Sequence, residues 1–183
     1  MIRHKVFMSY HHADQTEVAR FVDTFDRERN VFIARALGVG MARDIIESDD
    51  ATYVMRRIRE LYLEDSTVTI VLLGRCTWAR RYVDWELQAS LRHGRRTVPN
   101  GLLGISLPSA GKPPRLPTRL RINLPPTAGA GGYARWYPYP ASSQQLGRAI
   151  EDAYKARTDA ARLRLITNQR ERRMRSATCG AHR

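Results

Sequence analysis

The run Thr67–Leu73 (TVTIVLL) limits the possible folds of this chain more than any other segment. Its residues are apolar or β-branched throughout, without the alternation of apolar and polar residues that marks a strand with one solvent-facing side. An uninterrupted run of this kind indicates a strand that is buried on both faces, as occurs where helices cover both sides of a parallel sheet. The run therefore predicts an α/β protein.

Segments of strand type alternate with segments of helical periodicity over most of the chain. The predicted strands are Lys5–Tyr10, Val31–Ala36, Thr67–Leu73 and Leu102–Leu107, and the predicted helices begin near Asp14, Asp50, Arg81 and Ser142. Strands and helices that alternate with short connections form doubly wound sheets. We therefore predict a flavodoxin-like, doubly wound and mostly parallel sheet of four to five strands, flanked by helices.

Three of the predicted helices begin at residues that are suited to cap them. Asp14 is followed three positions later by Glu17, and Ser142 by Gln145, which are capping-box patterns, while Asp50 can cap the second helix. Apolar residues at helical spacing should face the sheet. They are Val18, Phe21, Val22 and Phe25; Val54, Ile58, Leu61 and Tyr62; Val83, Leu87 and Leu91; and Leu146, Ile150 and Tyr154.

The chain is long enough for one α/β domain but too short for two. Residues 108–140 hold eight of the nine prolines, which predicts an irregular crossing, with Arg119–Leu124 as an edge strand or a loop. Leu37–Asp49 contains glycine without clear periodicity, and we expect a long loop there. Residues 158–183 are predicted to be a basic helix or tail whose last ten or so residues fray.

The net charge of +13 raises the question of a nucleic-acid partner. Nine Lys or Arg and two acidic residues lie between Lys155 and Arg183, so this stretch carries +7 and the rest of the chain is only mildly basic. No sequence pattern of a known nucleic-acid-binding module accompanies the charge. Nucleic-acid binding is therefore the less favoured interpretation, and a solvated helix end the more favoured one.

Apolar runs and cysteine spacing bear on the compartment. No run reaches the length of a signal peptide or the ~18 apolar residues of a membrane span. Cys76 and Cys179 have neither a CxxC partner nor a nearby His at ligand spacing, which argues against a zinc site and against a disulfide scaffold. We therefore expect a cytoplasmic protein with no membrane segment.

A single carboxylate lies where a ligand would bind. The strand Thr67–Leu73 is followed by a polar turn and then by a helix that carries Tyr82 and Glu86, at positions i and i+4 of one helix face. Open α/β sheets bind ligands beyond the carboxyl ends of their strands. A lone glutamate at that place suits a reaction whose leaving group is already activated, and a solvated surface glutamate is the alternative.

Other kinds of site have weaker support. A GxxxxGK[ST] segment and a complete GxGxxG segment are both missing, and the central strand ends in Leu73 and Gly74 rather than in the carboxylate of a phospho-receiver domain. His11 and His12 lack further ligands at metal spacing, so a hydrogen-bonding turn is preferred to a metal site. Cys76 would gain reactivity at a helix N-terminus, but it has no firm His partner.

Three segments together resemble one known family. They are KVFMSYHHAD at the start, STVTIVLLG before the turn and RRYVDWELQASLRHG after it. In combination they are similar to the TIR-like domain of the Thoeris antiphage protein ThsB, which pairs such a strand opening with a helix motif W-x-x-x-E. The resemblance covers roughly Lys5–Leu107 and implies a single TIR-like domain over residues 1–157.

The resemblance implies cleavage of NAD at the nicotinamide glycosidic bond. By position, Glu86 matches the family's catalytic glutamate, and Tyr82 stands where its tryptophan usually lies. Ser9, Tyr10 and His11 match the loop that borders the nucleotide. NAD would be the substrate, with no further cofactor and no metal. The product would be ADP-ribose or a cyclic isomer that signals to a separate effector, and the domain would self-associate.

The alternative is a non-catalytic TIR-like interaction module. In that case the Glu86 face and the loop Leu37–Asp49 would bind another TIR surface. An adaptor of this kind releases no nicotinamide at any protein concentration. An enzyme whose site is completed by a neighbouring protomer gains specific activity as it assembles.

Overall fold

The computed structural model describes residues 2–37, 45, 47–169 and 177–180. Within these residues five parallel strands form one sheet in the order β2-β1-β3-β4-β5. The strands are β1 Lys5–Ser9, β2 Ile33–Leu37, β3 Val68–Leu73, β4 Gly101–Ser106 and β5 Arg135–Tyr137. The α-helices are α1 Gln15–Val22, α2 Ala51–Ile58, α3 Arg81–Ser90, α4 Thr118–Arg121, α5 Ser143–Ala156 and α6 Ala160–Leu163. The predicted flavodoxin-like α/β fold is confirmed.

The strand β3 lies at the centre of the sheet. It pairs in parallel with β1 on one side, where Val6 is opposite Val68, and with β4 on the other, where Leu73 is opposite Ser106. All six of its residues are buried. The uninterrupted apolar run of the sequence therefore has the two covered faces that it predicts.

The two faces of the sheet have different helical cover. Alternate residues of the strands point to opposite faces, and those on one face, such as Val6 and Ile70, pack with apolar residues of α1 and α5. Phe7, on the other face, packs with residues of α2 and α3. The β1 residues that point toward the helix α3 are therefore those on the same face of the strand as Phe7.

Two of the three predicted helix caps are present. Asp50 Oδ1 accepts hydrogen bonds from the backbone of Thr52 at 2.8 Å and Tyr53 at 3.1 Å. Ser142 Oγ accepts one from Gln145 N at 3.2 Å. These contacts satisfy backbone N–H groups that have no partner within the helix.

The capping box predicted at the start of α1 is wrong. The Asp14 side chain makes no capping hydrogen bond, because its carboxylate lies against the end of β3 instead. Glu17 does not reach back to the helix start either, and its Oε2 accepts a hydrogen bond from Ser109 Oγ at 2.6 Å. Both side chains of the sequence pattern thus make tertiary contacts instead of capping the helix.

Two positions predicted to face inward are exposed. Leu61 lies in a π-helical turn, Arg59–Leu63, that follows α2. The wider turn changes the helical phase, so that Leu63 is buried while Leu61 is 44% exposed. Tyr154 is 37% exposed and stacks on the ring of His4 with 4.0 Å between centroids. The remaining predicted inner positions of α3 and α5 are buried.

The proline-rich stretch contains a helix where a strand or loop was expected. Arg119–Leu124 includes most of α4, with Leu120 buried against the sheet. Arg119 is also buried. Its guanidinium makes two hydrogen bonds of 3.0 Å to the carboxylate of Asp84 on α3, which compensate for the lost contact with water. The edge strand of the stretch is β5. Most of the loop predicted over Leu37–Asp49 lies outside the described residues.

The C-terminal region corrects two further expectations. Cys76 and Cys179 form a disulfide whose Cα atoms are 5.8 Å apart, although their spacing argued against one. The fold brings together residues that are separated by 103 positions. The predicted fraying is wrong for residues 177–180, because Ala177 N also donates to Ala79 O at 2.8 Å. Among the described helices, none combines the length and apolar character needed to cross a bilayer.

Candidate functional site

The order of the strands defines where a ligand would bind. The chain passes from β1 to β2 on one side and then crosses back to β3 on the other side of β1. Beyond the carboxyl ends of β1 and β3 the connecting segments diverge, which leaves a crevice in doubly wound sheets. Ser9 ends β1, and the helix α3 follows the end of β3 after a short turn.

Ser9 and Glu86 meet at this point. Ser9 lies two residues after Phe7 and shares its face of the strand, which is the face covered by α3. The Ser9 hydroxyl donates a hydrogen bond of 2.7 Å to Glu86 Oε2. Ser9 is fully buried, and Glu86 is 7% exposed. The pairing joins residues 77 positions apart, at the place where the sequence predicts a site.

The environment of Glu86 favours its protonated form. Burial raises the pKa of the Glu86 carboxyl to about 8, and the hydrogen bond from Ser9 acts in the opposite direction. A carboxylate that loses its water is costly unless charges or donors replace the water. Strongly raised carboxyl pKa values occur more often at functional sites than elsewhere, although structural sites also show them.

Tyr10 and His11 continue from Ser9 and are both buried. The Tyr10 hydroxyl donates to Gln15 Oε1 at 2.6 Å. Burial raises the Tyr10 pKa, the bond to Gln15 lowers it, and the charge of Glu86 raises it further. The His11 ring meets that of His12 edge-on, with 4.3 Å between the centroids. The segment predicted to border the nucleotide is therefore a packed turn beside Glu86.

Tyr82 is partly buried one helical turn before Glu86. Its ring packs edge-on against Trp85, with centroids 5.5 Å apart, and its hydroxyl accepts a hydrogen bond of 2.6 Å from Arg81. The Arg81 guanidinium also lies 4.7 Å from the ring centroid. Trp85 is itself fully buried in the core cluster with Phe7. In this arrangement Tyr82 contacts its own helix, and a stacking role toward the substrate stays a prediction.

A second carboxylate near the strand ends was not among the predicted site residues. Asp14 is 5% exposed, and its Oδ2 lies 3.3 Å from the hydroxyl of Thr77. That hydroxyl accepts a hydrogen bond of 2.9 Å from Gly74 N. A Cβ at Gly74 would overlap the Asp14 carboxylate. The sequence signal that could have pointed to Asp14 is Gly74, a glycine directly after the central strand. Glycine is common where another group approaches the backbone closely.

No metal centre marks this site among the described residues. No three His, Cys, Asp or Glu side chains are grouped there in a way that could hold a metal ion. Two surface cavities, of about 300 and 510 Å³, lie along α5 and include Arg148 in both linings. Neither is lined by Ser9 or Glu86. The candidate site is therefore defined by its buried polar pair and by its place in the sheet.

The strand order β2-β1-β3-β4-β5 is that of flavodoxin-like folds, the class to which TIR-like domains belong. The chain belongs to the family described as Thoeris protein ThsB, TIR-like domain, whose model matches residues 7–112. This range includes all five predicted site residues, and it ends before β5, α5 and Cys179. No curated protein matches the chain at a significant level.

Proposed function

We propose that this domain cleaves NAD at the bond between nicotinamide and ribose, with Glu86 as the catalytic carboxylate. The observation that carries the proposal is the buried hydrogen bond between Ser9 and Glu86 at the point where the sheet order reverses. Membership of the ThsB family supports the same assignment. So does the position of Glu86, which matches the glutamate of the W-x-x-x-E motif, although Tyr82 replaces its tryptophan.

The chemistry requires one acidic group rather than two. Ordinary glycosidases use a second carboxyl group to protonate the leaving oxygen. The nicotinamide of NAD is already cationic, so the electron pair of the breaking bond moves to its ring nitrogen and the base leaves neutral. Positive charge then develops on the ribose carbon, where a nearby carboxylate stabilises it. Fixed charges in a site without bulk water are worth several kcal/mol in such steps.

The raised pKa of Glu86 agrees with a cationic substrate. Before a cation approaches, the carboxyl is largely protonated at neutral pH, because its pKa is about 8. A positive charge that approaches a carboxyl group favours its ionised form. Binding of the nicotinamide cation would therefore release the Glu86 proton and produce the carboxylate at the moment it is needed. Ser9 would retain its hydrogen bond and hold the carboxylate in place.

The fate of the ribosyl cation determines the product. Attack by water, with loss of a proton, gives ADP-ribose. Attack by a group of the same molecule gives a cyclic isomer, and this route gains when the site folds the substrate and excludes water. In the antiphage setting of the family, the product would serve as a signal to a separate effector in the cytoplasm, and self-association would complete the site.

The desolvated carboxyl group of Glu86, which is 7% exposed, weighs against the rival interaction module. A buried carboxyl group lowers stability at neutral pH. An adaptor has no need of such a group, whereas the proposed reaction uses it.

Product analysis separates the two functions. Purified protein is incubated with NAD over a range of protein concentrations, and nicotinamide and the nucleotide products are followed by chromatography and mass spectrometry. We expect one nicotinamide for each ADP-ribose or cyclic isomer, and a higher specific activity at higher protein concentration. The variant Glu86→Ala should release none, whereas Glu64→Gln, at an exposed glutamate on the loop before β3, should behave as wild type. Absence of nicotinamide at every concentration would exclude the enzyme.

A further inference from the structure

The C-terminal residues are attached to both ends of the segment that carries Glu86. At the far end of α3, the Asn168 side chain donates to Gln88 O at 3.1 Å, and Gln88 Nε2 donates to Gln169 O at 3.3 Å. Arg119, which is bound to Asp84 of α3, also donates to Asn168 Oδ1 and Gln169 O, both at 2.9 Å. Residues 168 and 169 are therefore fixed to the C-terminal half of the helix.

At the near end the attachment is covalent. Cys76 lies in the turn between β3 and α3 and is joined to Cys179 by the disulfide. Ala177 N adds one hydrogen bond to Ala79 O. Since Tyr82 and Glu86 follow this turn within ten residues, the disulfide restrains the start of the helix that presents them.

The two sulfur atoms differ in access. Cys76 is fully buried, and Cys179 is partly exposed. A thiolate from solution therefore reaches Cys179 Sγ more readily. With a dithiol reductant, attack on Cys179 forms a mixed disulfide and releases Cys76 as a thiolate, which takes up a proton. The second thiol of the reductant then displaces Cys179, so the reductant becomes a cyclic disulfide and the protein gains two thiols and two electrons.

The disulfide and its accessibility to reductants both affect Glu86, because the disulfide restrains the start of the helix that carries it. With the disulfide closed, Glu86 is 7% exposed and is hydrogen-bonded to Ser9. A ribose carbon can reach its carboxylate only if the covering groups move. Helical side chains lean toward the preceding turn, so the Glu86 side chain leans toward the first turn of α3, where Tyr82 lies on the same helix face. Breaking the disulfide leaves this end of the attachment without its covalent link and with noncovalent contacts such as the hydrogen bond from Ala177 N to Ala79 O, and movement of the turn then costs less.

We infer that the Cys76–Cys179 pair is a redox modification site that controls access to Glu86. The oxidised form holds the turn before α3 closed, and reduction by a dithiol releases it and raises turnover. Disulfides in reducing compartments are commonly transient and redox-sensing. This inference rests on the proposed NAD cleavage only for its effect on turnover, because release of the turn is a property of the chain itself.

The test measures backbone mobility and turnover on the same samples of the full chain. Amide hydrogen exchange of residues 76–86 is compared between the oxidised protein, the dithiol-reduced protein, and Cys179→Ser with and without dithiol. Cys179→Ser is chosen because Cys76 is fully buried and its replacement endangers folding. Thr178→Ser, at an exposed neighbour, is the control that retains both sulfur atoms.

We expect exchange of residues 76–82 to be at least tenfold slower in the oxidised protein and in oxidised Thr178→Ser. Cys179→Ser should match the reduced protein, with no response to dithiol. Nicotinamide release should be several-fold faster in the reduced protein and in Cys179→Ser. Equal exchange in all samples, or equal or faster release from the oxidised protein, would overturn the inference. If no sample releases nicotinamide, the proposed function fails, and the exchange rates alone decide whether the redox site exists.

Discussion

Ser9 Oγ lies 2.7 Å from Glu86 Oε2, and both residues are buried at the carboxyl end of the sheet. The hydroxyl is the donor that favours the ionised form of a carboxyl group which burial otherwise keeps protonated. The balance between these two effects sets the fraction of the domain that is ready for reaction at a given pH.

The pH dependence of turnover should report the Glu86 carboxyl. If the free protein must lose this proton, kcat/KM for NAD rises with pH and levels off above about 8, the pKa of Glu86. Nicotinamide release measured between pH 5.5 and 9.5 at limiting NAD would show this profile. A kcat/KM that is flat through this range, or falls with rising pH, would contradict the assignment.

Replacing Ser9 by Ala should shift that profile to higher pH. The hydroxyl lowers the pKa of Glu86, so its loss raises the pKa and reduces the carboxylate fraction at pH 7. A shift of one unit corresponds to about a tenfold loss of kcat/KM at neutral pH, with partial recovery at pH 9. The control is Ser90→Ala, since Ser90 is also buried and hydrogen-bonded, in this case to Thr69 at 2.8 Å. An equal shift in both variants would mean that the Ser9 contact is not responsible.

The free energy of unfolding should depend on the same Glu86 titration, and it should fall as the pH rises. The folded pKa of about 8 lies above the ordinary carboxyl value of 4.5, so the folded protein binds the Glu86 proton more tightly than the unfolded chain does. Its contribution to stability is complete below about pH 4.5 and is lost as pH rises to about 8, by roughly 1.4 kcal/mol per unit between those values. Urea denaturation at pH 5.5 and 8.5 should show a smaller decrease for Glu86→Gln than for wild type. Identical decreases would contradict the raised pKa.

More of the fold than of the candidate site could be predicted from the sequence. The buried run of β3 and the caps at Asp50 and Ser142 depend on local periodicity and local hydrogen bonds, and the structure has them. The contacts of Asp14 and Cys76 join residues 63 and 103 positions apart. Such contacts are determined by how the elements pack, and no local pattern encodes them.

The candidate site depends partly on local sequence patterns and partly on how the elements pack. The position of Glu86 after the central strand predicts it as a site residue, and in the structure it lies against Ser9. The pairing itself, with the burial that raises the pKa, depends on the parallel register of β1 and β3. Leu61 was placed inward on a regular α-helix, and the π-helical turn made that prediction wrong.

Substituting Gly74 by Ala should destabilise the domain by about 1–3 kcal/mol, the usual cost of overpacking. An added methyl group would overlap the Asp14 carboxylate. Chemical denaturation measures the loss, and Gly94→Ala is the control because nothing lies within 4 Å of the equivalent position. Combining Gly74→Ala with Asp14→Ala should cost less than the sum of the two single variants. Strict additivity would show that the two residues do not clash.

Reduction of the disulfide should lower the free energy of unfolding. A cross-link that closes a loop of about 100 residues removes chain entropy worth roughly 4–5 kcal/mol from the unfolded state, an upper value in practice. For a domain of this size that corresponds to a fall in Tm of about 10 °C. Calorimetry with and without dithiol measures it, and Cys179→Ser should show no response to dithiol. A dithiol response in Cys179→Ser, or none in wild type, would argue against a Cys76–Cys179 cross-link.

The most direct test of the central claim is the kcat/KM for nicotinamide release by wild type and by Glu86→Gln under identical conditions. Gln has the size of the protonated glutamate and keeps the fold, but it cannot become the carboxylate that stabilises the ribosyl cation. We predict a loss of at least about 100-fold for Glu86→Gln, with Glu64→Gln unchanged. A folded Glu86→Gln protein with wild-type kcat/KM would show that Glu86 does not carry the reaction.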